Sequence, residues 1–420
     1  MKKRFIIPTT ASFLLAAATL ASAATVDELQ HQLDDLSGQI KALQAEKAQK
    51  PAAAPAPQGE GYLKTVWDRT RIGGYGELDY IMKSDNGNGK GGNTFDPHRF
   101  VLYVNSDLAD WITLNAELEW EHGGVNDEVK GDELSGEVVV EQAFLDFKLF
   151  RPLNVKAGIM LVPVGAINLY HEPTNFNSSE RPDLDKYLIP STWREMGIGI
   201  HGSLGDRADY QLLVMNGLDG KEFSAKNGLR DGRQDMNKDN NRGKALTGRL
   251  ELRPVTNLYT NFSFYTANSA PKGSDNAYTT ILAFDGKYRI SDFEIAGEYV
   301  QVIQDKPGLL ASDIGHRMSG YWVEGAYHLM PAALKTGKLA EADLVAFARY
   351  SEFDTQQGSI ADPTKTSGKY DRNYTNFGFS FKPVPTVAIK ADYQIYDDHR
   401  SGGEKPLDND KFQVTLGFVF

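Results

Sequence analysis

The sequence predicts an all-β fold: a transmembrane antiparallel β-barrel of about sixteen strands, preceded by a short α-helical coiled coil. Three observations predict it. From Arg71 to Phe420 the chain repeats runs of alternating polarity. The connections between runs alternate between short and long. An export signal opens the chain, and no later stretch reaches the ~18 uninterrupted apolar residues that a membrane helix needs.

The signal spans residues 1–23. Met1-Lys2-Lys3-Arg4 is a positive start, Phe5 to Leu20 an apolar run, and Ala21-Ser22-Ala23 a small-residue cleavage box. The mature chain is then expected to begin at Ala24. The competing reading, an uncleaved membrane anchor, fits less well, because the apolar run is short and leads directly into the cleavage box.

Residues 24–48 carry a heptad seam. Val26, Leu33 and Ile40 take the a positions, and Leu29, Leu36 and Leu43 the d positions. Such a seam favours a coiled coil, but fewer than three heptads form one weakly without tethering to an oligomer. An amphipathic helix packed on the barrel, or a segment loose in the periplasm, is the alternative. Residues 49–69 follow as a Pro/Ala-rich, semi-rigid spacer, centred on Lys50 to Gly59.

Residues 70–420 form the barrel. Leu114, Ala116, Leu118 and Trp120 share one face of a run, and Asn115, Glu117, Glu119 and Glu121 the other. Leu246, Leu250 and Leu252 oppose Thr247, Arg249, Glu251 and Arg253. Val387, Ile389, Ala391, Tyr393 and Ile395 oppose Lys390, Asp392 and Gln394, and the last run places Phe412, Val414, Leu416, Phe418 and Phe420 together. Period-two alternation marks strands with one apolar and one wet face. The three glutamates would be unpaired like charges in a dry sandwich core, so they need water. Aromatics expected near strand ends (Tyr80, Trp111, Tyr170, Trp322, Tyr350, Tyr393) fit interface girdles, and the apolar face then meets lipid. Counting runs gives about sixteen strands; fourteen and eighteen stay open because Met330 to Ala340 is ambiguous.

Short connections include Asp110-Trp111, Arg151 to Leu153, Gly205-Asp206 and Pro383 to Pro385. Long ones include Met82 to Pro97, Gly217 to Gly243 and Asp354 to Asp371. The third long connection, from Val162 to Glu195, is rich in charge: Arg181, Asp183, Asp185, Lys186, Arg194 and Glu195. A connection this long is usually functional, and in a pore it would fold inward to set the narrowest width. A surface loop is the plainer alternative. The expected lumen face carries bases at Arg99, Lys148, Lys156, Arg249, Arg253 and Arg349 and acids at Glu117, Glu119 and Glu121, among others of both signs. Half or more of these charges are expected to pair across strands and stiffen the wall. The rest would set selectivity by their arrangement.

Composition excludes several functions. There is no cysteine, so thiolate metal sites and haem attachment are ruled out. Lys and Arg number 45 against 56 Asp and Glu, a net charge of −11 that argues against nucleic-acid partners. The eight histidines are scattered with no H-x-x-x-H pair, and no catalytic constellation stands out; His171 and His201 are candidates only by lying within the barrel. Asp235 to Asn240 starts like a calcium loop, but it lacks glycine at the sixth position and has Leu246 where a bidentate glutamate belongs. No cofactor, catalytic residue or metal site is expected.

The chain resembles the phosphate-selective porin O and P family, and more loosely the related dicarboxylate-type channels. The resemblance rests on the heptad segment and linker, Arg71 to Gly76, Glu141 to Leu145, Lys156-Ala157-Gly158 leading into Pro163, Pro190 to Gly197, Met215-Asn216-Gly217 and the terminal Phe420. It implies a homotrimer of sixteen-stranded barrels in the bacterial outer membrane, among lipid and lipopolysaccharide, passing small anions by diffusion. The family's phosphate specialists use an arginine ladder and a lysine cluster, whereas the corresponding face here is mixed. The expected function is passive diffusion of small hydrophilic solutes or ions, with anions such as phosphate among them. Two other readings stand beside it: a barrel sleeve around a partner such as a cytochrome, and a tether whose coiled coil reaches towards the cell wall.

Overall fold

A computed structural model describes residues 65–84, 92–124, 136–236, 238–239, 243–358, 368–399 and 409–420. The expected signal, coiled coil and nearly all of the spacer lie outside these residues.

Among the described residues, sixteen strands follow one another. They are β1 (Thr70–Lys83), β2 (Gly92–Ala109), β3 (Ile112–Glu121), β4 (Glu137–Phe150), β5 (Leu153–Leu161), β6 (Arg194–Ser203), β7 (Ala208–Asn216) and β8 (Lys244–Leu252). Then come β9 (Leu258–Asn268), β10 (Tyr278–Ile290), β11 (Phe293–Gln304), β12 (Arg317–His328), β13 (Asp343–Gln357), β14 (Asp371–Val384), β15 (Val387–Asp398) and β16 (Lys411–Val419). Each strand pairs with the next, and β16 returns to β1, so the barrel is closed. The seam runs antiparallel from Tyr75 opposite Val419 to Lys83 opposite Lys411. Beyond it, the Phe420 amide donates to the Gly74 carbonyl and the Gly74 amide to Phe420, both at 2.9 Å. Closure leaves no strand edge, which is the condition for crossing lipid with strands.

The alternation read from sequence holds along the wall. In β10, Thr279, Ile281, Ala283 and Asp285 are buried inside, while Tyr278, Leu282 and Phe284 are exposed outside. Ile198, Val214, Phe262, Ile295, Val323, Phe377 and Ile389 continue the exposed apolar face. A continuous apolar surface of this extent belongs in hydrocarbon. The larger cluster of buried apolar side chains lies inside the barrel, where Leu184, Leu188, Ile189 and Trp193 pack against Leu213, Tyr265, Ile281, Val300 and Phe353.

Several expectations are corrected. Met330 to Ala340 is not a strand: it lies in the connection between β12 and β13 and holds 3-10 turns at Ala332–Leu334 and Gly337–Leu339. This settles the count at sixteen. Pro383 and Val384 lie within β14, and β2 starts before Pro97, so those connections are shorter than expected. Arg194 and Glu195 open β6 instead of ending the long loop. Tyr170 and Trp322 are not girdle residues. Tyr170 lies in the inner loop and donates to Glu251 Oε1 at 3.0 Å. Trp322 has inward parity in β12 and donates from Nε1 to Glu298 Oε2 at 3.1 Å.

Candidate functional site

Residues 162–193, between β5 and β6, form an inner loop that crosses the lumen. Its neck is held by Asn168, which is fully buried. Asn168 Nδ2 donates to the carbonyls of Val162 at 2.8 Å and Trp193 at 3.0 Å, and its Oδ1 accepts from the Trp193 amide at 2.9 Å. One side chain thus copies the hydrogen bonding of a peptide and pins both ends of the loop together. Gly165 follows with φ +80°, a left-handed conformation, and a Cβ there would lie 2.5 Å from Ile189 Cδ1 and 2.8 Å from Glu298 Oε1. Both facts require glycine.

From the neck the loop reaches much of the wall. The Gly165 amide donates to Ser263 Oγ at 3.1 Å, and the Ala166 amide to Glu298 Oε1 at 3.0 Å. Asn177 Nδ2 donates to Glu324 Oε1 at 2.9 Å. Lys390 Nζ donates to the Ser178 carbonyl at 2.9 Å, and the Ser179 amide donates to Asp392 Oδ2 at 2.5 Å. Gln394 Nε2 donates to Asp183 Oδ2 at 2.9 Å, and Lys411 pairs with Glu180 at 3.1 Å. The loop then turns through α1 (Leu184–Tyr187), whose buried Leu184 joins the apolar cluster. The connection 217–243, between β7 and β8, braces this part: the Leu229 amide donates to the Tyr187 carbonyl at 2.9 Å, and Arg233 to the Ser191 carbonyl at 3.1 Å.

The residues singled out from sequence fall into three groups. Arg181, Asp183 and Lys186 line a polar cavity of about 320 Å³ together with Glu121, Thr192 and Arg230. Arg99, Glu117, Glu119, Asp185, Arg194, Glu195, Arg249 and Arg349 are buried. Arg99 pairs with Glu77 at 3.0 Å, and Arg249 with Glu251 at 2.7 Å while donating to the Gly165 carbonyl at 2.5 Å. Arg349 donates to Ser178 Oγ at 2.7 Å and the Glu180 carbonyl at 3.1 Å, and Glu195 accepts from the Gln234 amide at 3.1 Å. Lys156, Lys148 and Arg253 are more open. Lys156 donates to Gln211 at 2.6 Å, Lys148 is exposed, and Arg253 pairs with Asp209 beside the turn after β8. Arg249 and Arg349 fasten the wall to the loop, and Arg99 is compensated by Glu77 within the wall, as burial of a charge demands, whereas Glu117 Oε1 and Glu119 Oε1 have no hydrogen-bond partner.

Asp185 and His171 are among the inner-loop groups that titrate away from their ordinary values. Burial raises the Asp185 carboxyl to about 7; Glu298 bonds to it and offsets part of that rise. Burial opposes a charge on His171, but the Glu141 carboxylate outweighs it and lifts His171 to about 9. Sequence reading missed Asn168 and Glu141. Asn168 gave no signal beyond lying in the long connection. Glu141 is the extra residue of a bulge: Glu117 pairs with Gln142 and Leu118 with Val140. Bulges re-aim side chains and are not visible in period-two patterns.

Comparison with known proteins agrees with this architecture. The family model described as phosphate-selective porin O and P matches residues 71–291. A protein of Aquifex aeolicus (strain VF5), described only as uncharacterised, is 31% identical over 390 residues, covering 89% of this chain and 85% of that one. The crystal structure of the outer membrane channel DcaP of Acinetobacter baumannii superposes with a TM-score of 0.56 at 12% identity, covering 84% of this chain and 97% of that chain. An anion-selective porin from Comamonas acidovorans gives 0.52 at 10% identity, covering 84% and 99%. At these identities the two structures show a shared fold.

Proposed function

Because the chain belongs to the phosphate-selective porin O and P family, and is therefore a porin-type barrel of the outer membrane, we propose that it passes small hydrophilic solutes by diffusion and favours small anions such as phosphate. The observation that carries this reading is the charge around the polar cavity beside the inner loop. Arg181, Lys186 and Arg230 line it. Of the acids that also line it, Glu180 is paired with Lys411, Asp183 keeps its charge and accepts from Gln394, and Glu121 and Glu137 complete the set. Bases gathered on the loop side of the passage raise the local anion concentration there. Guanidinium groups match phosphate and carboxylate oxygens in pairs.

The inner loop narrows the path and limits solute size. The same reading makes residues 1–23 a cleaved signal, 24–48 a periplasmic coiled coil and 49–69 its spacer. It makes 70–420 one barrel of a homotrimer set in lipid and lipopolysaccharide, with the short turns on the periplasmic side. Diffusion down a gradient needs no cofactor and no catalytic group. The sleeve reading has no support, since the inner loop occupies the volume that a partner chain would need.

Planar-bilayer recording under a salt gradient tests the selectivity. Replacing Arg181, Lys186 and Arg230 together by Glu should move the reversal potential towards cations. A reversal potential unchanged from that of the natural chain places these residues off the permeation path and removes the anion reading.

A further inference from the structure

We propose that Glu117, Glu141 and His171 bind a divalent transition-metal cation of the Zn²⁺ class, and that this cation fastens the inner loop to the barrel wall. The three residues come from three segments: β3, β4 and the inner loop. One donor atom from each lies within 4.8 Å of the others. His171 Nε2 and Glu141 Oε1 are 3.3 Å apart. Donors on a tetrahedral cation with bonds of about 2 Å stand roughly 3.3 Å from each other, so this pair already has the spacing that a shared ion imposes.

The imidazole is oriented as a ligand. Its Nδ1 lies 3.1 Å from the Asn168 carbonyl, which can only accept, so Nδ1 carries the hydrogen. Nε2 is then aimed at the Glu141 carboxylate, and a positive charge must stand between them. Without metal that charge is a proton on Nε2; a dication would displace the proton and take the Nε2 lone pair. Metal-bound histidines are held in this way, with the second nitrogen donating to a carbonyl. Glu117 is oriented too, since Gln142 Nε2 donates to its Oε2 at 2.5 Å.

Beyond the His171–Glu141 pair, Glu141 Oε2 and Glu117 Oε1 have no hydrogen-bond partner, although the three residues are only 0–3% exposed. Of the bases nearby, Arg99 is committed to Glu77 at 3.0 Å and Glu119 at 3.8 Å, and Arg194 donates to the Thr192 carbonyl at 3.4 Å. Two carboxylates and a neutral imidazole balance a dication, and this N/O set suits zinc-class ions. The bulge in β4 supplies the odd residue that completes the set: counted back from Gln142, which stands opposite the buried Glu117, position 141 would otherwise fall on the outer face.

The test uses the full mature chain, purified and folded in detergent, incubated with Zn²⁺, desalted and assayed for bound metal. The expected result is about one zinc per chain, falling about tenfold or more in Glu141→Gln and in His171→Gln. Should either variant fail to fold, Co²⁺ loading of the natural chain decides: absorption bands of a tetrahedral N/O site support the proposal, and the spectrum of hydrated Co²⁺ overturns it. Zinc absent from the natural chain, or held equally by the two variants, also overturns it and leaves a proton as the bridge between His171 and Glu141.

Discussion

Asp185 is fully buried where the inner loop meets β11, and a proton on it suits that site better than a charge. Its carboxyl titrates near 7 because burial penalises the ion. An unfolded chain holds the same group near 3.9. The folded loop therefore binds this proton more tightly, and the resulting stabilisation is present in acid and is lost as pH rises through about 7. Thermal unfolding in detergent should accordingly show a lower melting temperature at pH 8 than at pH 6. Asp185→Asn, which keeps the shape and removes the ionisation, should flatten that difference. An equal pH slope in both proteins would show that the group does not govern loop seating.

At the scale of the element, the inner loop depends on its neck. Asn168→Ala removes three hydrogen bonds and leaves the Trp193 amide buried without its partner, while the Val162 and Trp193 carbonyls keep backbone donors. An unsatisfied buried amide costs about 1–3 kcal/mol. The barrel closes through its own strand pairs, so it should survive while the loop swings. The expected outcome is a larger and noisier single-channel conductance with normal heat-modifiable mobility on gels. Unchanged conductance would mean that the loop is held without its neck. This element was only half legible in the sequence. Its place and charge could be read, because it interrupts the strand pattern for a long stretch between Met160 and Gly197. Its inward fold follows from its length, but the wall residues that hold it could not be read. The partners of Ser179 and Asp183 lie 213 and 211 residues further on, and no local pattern joins them.

For the whole molecule, parity was the legible part. Whether a side chain meets lipid or lumen follows from whether it is odd or even along its strand, and β3, β8, β15 and β16 behave as their sequences imply. Trp322 shows the limit: residue type alone makes it an interface aromatic, although Tyr321 and Val323, exposed on either side of it, mark it as inward. The lipid reading makes its own prediction. Leu282→Arg in β10 places a charge on the outer face, where it costs about 2–4 kcal/mol near the bilayer midplane. Folding yield into lipid vesicles should fall by a corresponding margin. If the outer wall were hydrated, the variant would fold as well as the natural chain.

The long reach of the loop fasteners also orders events in time. Residues 162–193 leave the synthesis and export machinery well before Lys390, Asp392, Gln394 and Lys411, on which they finally rest. Ser263, Glu298, Glu324 and Arg349 can receive the loop earlier, but its rests on β15 and β16 come only with the end of the chain. The seating of the narrow passage is therefore completed together with barrel closure.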